Sequence, residues 1–154
     1  MTAGAALGPL HTREQFEFVT QAPLEVAWPL FGAEGERAWA PGWEPEFVWP
    51  REPIDREGMV FKVAHGGRTA VWVNTALDPA SNRIQYVYVI PDIVVTVISL
   101  RLAPAGRSTR VEVVYERTAL GESANELVRE MAQQDRLAGE EWCRQIHRYL
   151  QARH

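Results

Sequence analysis

The chain has 154 residues and a formal net charge of −4, which suits one domain that buries roughly 70% of its unfolded surface. No run of Lys or Arg indicates binding to nucleic acid or to an anionic membrane. The single cysteine, Cys143, excludes an intrachain disulfide, and the scattered histidines disfavour a metal site. Residues 1–11 lack the features of a signal peptide, and no apolar run could span a membrane. We therefore expect a soluble, cytoplasmic protein without a cofactor.

The chain begins with small residues that predict a loose tail at 1–12, and a half-buried strand is predicted at 13–21. Apolar side chains alternate with polar ones along that strand, so one face is expected to point to the core. The side chains on that face are Phe16, Phe18 and Thr20. A proline then suits a helix start, and a second one prevents a regular continuation. We expect two short, broken helical segments, at 24–31 and 34–39.

Six strands in succession are predicted from residue 46 onward. Each is rich in Val, Ile, Tyr and Thr, and turns containing Gly, Pro, Asp or Asn separate most of them. Links this short impose antiparallel pairing between neighbours. The predicted strands are 46–49, 59–65, 69–77, 83–90, 93–103 and 107–120.

Charged side chains indicate the exposed face of each strand, because side chains alternate along a strand. The outward markers are Lys62, Arg83, Arg101 and Glu112. The inward sets are then Phe61, Val63 and His65; Ile84, Tyr86, Tyr88 and Ile90; Val94, Thr96, Ile98 and Leu100; and Val111, Val113 and Tyr115. Strand 69–77 has no charged marker, and a shift of one residue would invert its faces. For that strand we prefer Val71, Val73 and Thr75 inward, with Trp72 and Asn74 outward.

Residues 121–153 are predicted to form one long helix. Ser123 and a glutamate three residues later have the spacing of a capping box. Apolar residues then recur in steps of three, four or seven, which is typical of one helix face. This stripe consists of Leu127, Met131, Ala138, Trp142, Ile146 and Tyr149/Leu150. It is interrupted by Gln134, Asp135 and Gly139, and we expect an enclosed space beside them.

The predicted order is strand, two short helices, six strands and a long helix, which is an α+β design. Its most characteristic segments are residues 36–43 (ERAWAPGW), 45–47 (PEF), 65–67 (HGG), 72–75 (WVNT) and 78–79 (DP). With these segments, the chain resembles the START-like, Bet v 1-like helix-grip superfamily (SRPBCC), which includes lipid-transport domains and bacterial polyketide cyclase/dehydrase-like proteins. The resemblance implies a single domain over residues 13–153. In it, a curved antiparallel sheet of about seven strands grips the C-terminal helix around an apolar pocket.

From this we predict binding of a small hydrophobic or amphipathic molecule, lipid- or polyketide-like, between the sheet and the helix. His65 could bind a ligand or move a proton, although a strand-end histidine more often bonds a backbone carbonyl. Gln134 is the preferred polar contact on the helix. Cys143 and His147 share a helix face, but no third group supports a thiol–imidazole dyad. The predicted ligand-binding residues are Phe61, Val63, His65, Val73, Thr75, Tyr86, Tyr88, Thr96, Ile98, Met131, Gln134 and Ala138.

Two alternatives stay open. The first is an enzyme of the polyketide cyclase/dehydrase kind, which would need an inward His or Tyr that moves a proton; no catalytic residue is identified. The second is an interaction subunit in which an exposed Trp72 or Trp43 makes a homodimer or partner contact. No nucleic-acid partner and no membrane insertion are expected.

Overall fold

The computed structural model describes residues 8–153, and its elements follow the predicted order. The strands are β1 (His11–Thr20), β2 (Glu46–Trp49), β3 (Val60–His65), β4 (Arg68–Asp78), β5 (Arg83–Ile90), β6 (Val94–Ala105) and β7 (Ser108–Ala119). The α-helices are α1 (Leu24–Ala27) and α2 (Asn125–Ala152), and 3-10 segments occupy Trp28–Phe31, Gly35–Ala38 and Glu122–Ala124. Residues 1–7 of the predicted tail lie outside the described residues. No helix within residues 8–153 combines the length and the apolar character needed to cross a membrane.

All seven strands form one antiparallel sheet in the order β1-β7-β6-β5-β4-β3-β2. The six strands from β2 onward form a meander, and β1 pairs with the last of them along its whole length. Helix α2 packs mainly on β1 and β7. The inner face of β3, β4 and β5 is therefore not covered by α2, and it becomes the wall of the cavity described below.

The predicted inward faces of β5, β6 and β7 are confirmed, because burial alternates along these strands as expected. The prediction for β4 is wrong. Trp72 lies directly opposite the inward-facing Tyr88, and directly opposite residues of an antiparallel pair share a face. Asn74 is fully buried, whereas Thr75 is exposed. Val73 and Thr75 therefore lie on the outer face. The alternation alone could not show this, because residues 69–77 contain no charged side chain that marks the outer face.

The start of α2 also differs from the prediction. Ser123 lies in a 3-10 turn, and no side chain caps the helix. The side chain of Asn125 bonds the N-terminal segment instead: its Oδ1 accepts from the Leu10 N–H at 2.7 Å, and its Nδ2 donates to the Gly8 carbonyl at 2.9 Å. Asn125 thus ties the segment before β1 to the beginning of the long helix.

The buried face of α2 agrees only in part with the predicted apolar stripe. Its buried positions are Val128, Ala132, Asp135, Gly139 and Ile146. Leu127 is 38% exposed and lies outside the stripe, and Gln134 is exposed as well. Gly139 packs directly against β1, where a Cβ added to it would be 2.9 Å from Cδ1 of Phe16. Glycine is needed at this position for the close approach of the helix to β1.

Candidate functional site

A cavity of about 360 Å³ lies between the inner face of the sheet and the second half of α2. Its size is at the lower end of the range for small-molecule sites. Strands β3 to β7 form its walls, the loop at residues 40–43 lies at its edge, and Trp142 of α2 closes one side. The aromatic side chains around it are Trp43, Trp72, Tyr86, Tyr88, Tyr115 and Trp142.

Two grooves along β1 and α2 are larger, at about 430 and 560 Å³. Both lie at the surface, and both are lined by Glu140 together with an arginine. Cys143 and His147 line the first of them, but the thiol of Cys143 lies 3.6 Å from the Val19 carbonyl oxygen. The thiol thus has a backbone partner, and we regard the smaller, aromatic cavity as the candidate site.

The flat wall of the cavity is built around Trp72. Its indole stacks on the Tyr88 ring with centroids 4.5 Å apart and an interplanar angle of 20°. Trp43 and Tyr86 meet it edge-on, with centroids 5.3 and 5.8 Å away. Trp43 is held in turn by a 2.7 Å hydrogen bond from its Nε1 to the Ala33 carbonyl. These contacts present an extended aromatic surface in a fixed orientation.

A buried ion pair lies beside this wall. Arg117 of β7 donates from Nε and from Nη2 to the two carboxylate oxygens of Asp135 on α2, both at 2.7 Å. Arg117 is 6% exposed and Asp135 is 5% exposed. The two charges cancel in this bidentate geometry. The pair joins the sheet to the helix and leaves the interior without net charge at this point.

The remaining donors of Arg117 bind the cavity wall. Its Nη1 donates to the Tyr88 hydroxyl oxygen at 2.6 Å and to Thr96 Oγ1 at 3.1 Å. The same nitrogen lies 3.5 Å from the sulfur of Met131. The guanidinium carbon also lies 4.9 Å from the centroid of the Tyr115 ring, a distance typical of a cation–π contact. Arg117 therefore fixes the position of several cavity side chains at once.

Glu36 is the acidic side chain of the cavity. Burial, with the nearby negative charge of Asp55 as the second cause, raises the pKa of Glu36 to about 8. No residue among those described donates a hydrogen bond to its carboxyl group. Asp55 itself is occupied, because it accepts from the Glu34 and Gly35 backbone N–H groups at 2.8 and 3.2 Å. Glu36 is thus mostly protonated at neutral pH and faces the cavity as an acid.

His65 lies at the mouth of the cavity, at the end of β3. Partial burial, together with the positive charge of Arg117, lowers the pKa of His65 below its usual value. Its ring centroid lies 6.1 Å from that of Tyr88. A neutral histidine and a protonated Glu36 therefore border the same space at neutral pH.

The structure brings some of the predicted ligand-binding residues to this cavity and leaves others away from it. Those that border it are Val63, His65, Tyr86, Tyr88 and Ile98. Phe61 is fully buried and packs against Trp72. Thr96 and Met131 contact Arg117, and Ala138 packs against the core. The residues placed wrongly are Val73 and Thr75, on the outer face of β4, and Gln134, which is exposed on α2.

Arg117 and Glu36 border the cavity and were not predicted from the sequence, and Trp72 was predicted on the wrong face. The alternation that puts Val113 and Tyr115 inward also puts Arg117 inward, so this signal was present in the sequence. Glu36 lies within the segment at 36–43, but nothing local shows that its side chain is enclosed. Trp72 and Trp43, which the second alternative expected to be exposed, are both half-buried and both border the cavity.

Known proteins resemble this chain in structure. No protein-family model matches it, and no curated protein matches it in sequence. Norcoclaurine synthase from Thalictrum flavum has a TM-score of 0.67 at 11% identity, over 92% of this chain and 87% of that one. The di-domain ARO/CYC BexL, from the BE-7585A biosynthetic pathway, has a TM-score of 0.66 at 13% identity, over 91% of this chain and 46% of BexL. A Rhodobacter sphaeroides protein has a TM-score of 0.61 at 19% identity, over 92% of this chain and 93% of that one.

These similarities confirm the predicted fold. The chain has the START-like, Bet v 1-like helix-grip fold, with a seven-stranded antiparallel sheet and a long C-terminal helix. Because identities are below 20%, the similarities define the architecture and leave the chemistry to the side chains of this chain.

Proposed function

We propose that the cavity binds a small, largely apolar ring system that carries polar groups. The observation that carries this proposal is the aromatic wall around Trp72, which borders about 360 Å³ of space beside polar groups of no net charge. Flat aromatic faces suit a planar ligand, and the hydroxyl, imidazole and carboxyl groups would orient it. Norcoclaurine synthase has been observed in complex with dopamine and hydroxybenzaldehyde, both ring compounds of this size class. For this chain we favour such a ligand over a long acyl chain.

Filling the cavity should abolish this binding. Val63 borders the cavity, so Val63→Trp should place an indole in the space and weaken the binding of a neutral aromatic probe such as 2-naphthol by at least about tenfold. Titration of tryptophan fluorescence would measure the affinity. The matched control is Val71→Trp on the outer face of the neighbouring strand, which should bind like the parent protein. Equal affinity in both variants would exclude this cavity as the binding site.

A second candidate is a cyclase-like enzyme, and the presence of both Glu36 and His65 around one cavity favours it. Two titratable groups whose pKa values are displaced, one upward and one downward, supply an acid and a base in one site. We expect His65→Ala to lower the turnover of an aromatic poly-β-ketone surrogate by about 100-fold or more while the urea midpoint stays nearly unchanged. A Lys62→Ala variant, changed on the exposed face of the same strand, serves as the control. Full activity in His65→Ala, or its loss through unfolding, would reject a proton-transfer role for His65.

A further inference from the structure

We propose that Tyr88 presents its hydroxyl proton to an oxygen atom of the bound molecule, which makes the ligand a ring compound with a carbonyl or similar acceptor oxygen. This inference rests on the proposed binding function of the cavity and names the chemical group that the site recognises. It is drawn from the hydrogen bonds of Tyr88, Arg117 and Asp135.

The first step is the hydrogen-bond count at the Tyr88 hydroxyl. A phenolic hydroxyl has one O–H donor and lone pairs that accept. The oxygen of Tyr88 accepts from Arg117 Nη1 at 2.6 Å. Among residues 8–153 no acceptor takes its proton, although Tyr88 is only 3% exposed. Buried donors are paired in nearly all proteins, and Tyr88 borders the cavity. An acceptor atom of a molecule bound in the cavity would satisfy this O–H donor.

The second step is that the direction of this donor is fixed. The Tyr88 ring stacks on Trp72 at 4.5 Å, so the ring cannot swing away without losing that contact. Its oxygen is held by Arg117, whose other nitrogens are held by both oxygens of Asp135. A donor that is already oriented loses little conformational entropy when it binds an acceptor.

The third step concerns the strength of the donor and the charge of its partner. A hydroxyl that accepts from a guanidinium is polarised, and hydrogen bonds in such a chain strengthen one another. The charge of Arg117 is balanced by Asp135, so the site does not offer an uncompensated cation to a full anion. A neutral acceptor oxygen with partial negative charge fits this environment.

The other tyrosines of the cavity do not have this arrangement. Tyr86 donates its hydroxyl proton to the Phe31 carbonyl at 2.9 Å and is therefore satisfied within the protein. Tyr115 borders the cavity, but no hydrogen bond from the described residues holds its hydroxyl. Tyr88 is thus the tyrosine whose oxygen is fixed and whose proton is free.

The experiment compares two probes that differ in a single acyl group. The first is 6-propionyl-2-(dimethylamino)naphthalene, whose emission moves to longer wavelength when its carbonyl accepts a hydrogen bond. The second is 2-(dimethylamino)naphthalene, which has the same ring and no carbonyl. Tyr88→Phe removes the hydroxyl and keeps the ring on Trp72. Tyr149→Phe makes the same chemical change on α2, away from the residues that border the cavity.

We expect Tyr88→Phe to weaken binding of the acylated probe about five- to tenfold, as the loss of one hydrogen bond predicts, and to shift its bound emission to shorter wavelength. Its affinity for the probe without a carbonyl should stay within about twofold, and Tyr149→Phe should change neither. If both probes bind the parent protein and Tyr88→Phe affects them equally or not at all, the inference is wrong; weaker binding of both probes in Val63→Trp then shows that the cavity is still the binding site. If neither probe saturates the parent protein, the proposed binding function fails, and this inference fails with it.

Discussion

Replacing Asp135 with alanine is expected to lower the free energy of unfolding by about 3 to 5 kcal/mol, because it leaves the buried guanidinium of Arg117 without its counter-charge. Both partners are at least nine-tenths buried and meet in a bidentate contact with two 2.7 Å bonds. The loss of one partner therefore costs far more than the pair contributes by itself. Urea unfolding at pH 7, followed by circular dichroism, measures this change.

Two control variants separate the effect of burial on the free energy of unfolding from the effect of charge. Glu14 pairs with Arg136, which is 61% exposed, so Glu14→Ala should cost less than about 1 kcal/mol. The double variant Arg117→Met with Asp135→Leu should recover most of the stability, because it removes both charges from the interior together. If Asp135→Ala costs no more than Glu14→Ala, water in the cavity solvates Arg117, and the pair does not hold the sheet and the helix together.

The buried pair of Arg117 and Asp135 shows what local sequence patterns can and cannot predict. The alternation in β7 was sufficient to place Arg117 on the inner face, since Tyr115 precedes it by two residues. An inward arginine requires a buried partner, and the acid that interrupts the apolar stripe of α2 was visible in the sequence. Their pairing across 18 residues depends on how the helix crosses the sheet, and no local pattern determines that crossing.

Strand β4 illustrates a second limit. Strand positions and the order of elements were predictable because turn residues punctuate the meander and charges mark the outer face of most strands. Residues 69–77 carry no charge, so each of two opposite assignments satisfied the alternation. The pairing of Trp72 with Tyr88 decides between them, and register of this kind is a tertiary property. The error placed Trp72, the centre of the aromatic wall of the candidate site, on the wrong face.

Gly139 illustrates the opposite case, in which a sequence feature was correctly noticed and wrongly explained. A glycine inside a helix costs about 1 kcal/mol relative to alanine, so a specific reason for it was expected. The reason is contact with Phe16, which leaves no room for a Cβ; the groove that Gly139 lines lies at the surface and is not the enclosed space that was expected. The cavity lies farther along the sheet, where Trp142 and not glycine faces it.

Glu36 should make the protein less stable as the pH rises. The pKa of Glu36 is 4.5 for the unperturbed side chain, as in the unfolded chain, and about 8 in the folded protein. Below pH 4.5 both states hold the proton, so the group has no effect. Between these values the unfolded chain releases the proton and the folded protein keeps it, so the free energy of unfolding falls with increasing pH and levels off above about pH 8. The full difference between the two pKa values would lower the free energy of unfolding by at most about 5 kcal/mol. We expect a decrease of roughly 2 to 3 kcal/mol, because the carboxyl group borders a cavity.

Glu36→Gln tests this expectation, because the amide keeps the shape of the protonated acid and cannot ionise. The variant should equal the parent protein in stability near pH 4.5 and exceed it by roughly 2 to 3 kcal/mol at pH 8, as measured by urea unfolding across that range. Glu46→Gln, on the exposed side of the edge strand β2, should leave the pH profile unchanged. Asp55, whose pKa burial also raises, leaves a residual slope in every variant. If the difference between Glu36→Gln and the parent protein does not vary with pH, then Glu36 is solvated in the folded protein. It would then be ionised at neutral pH and could not serve as the acid of the cavity.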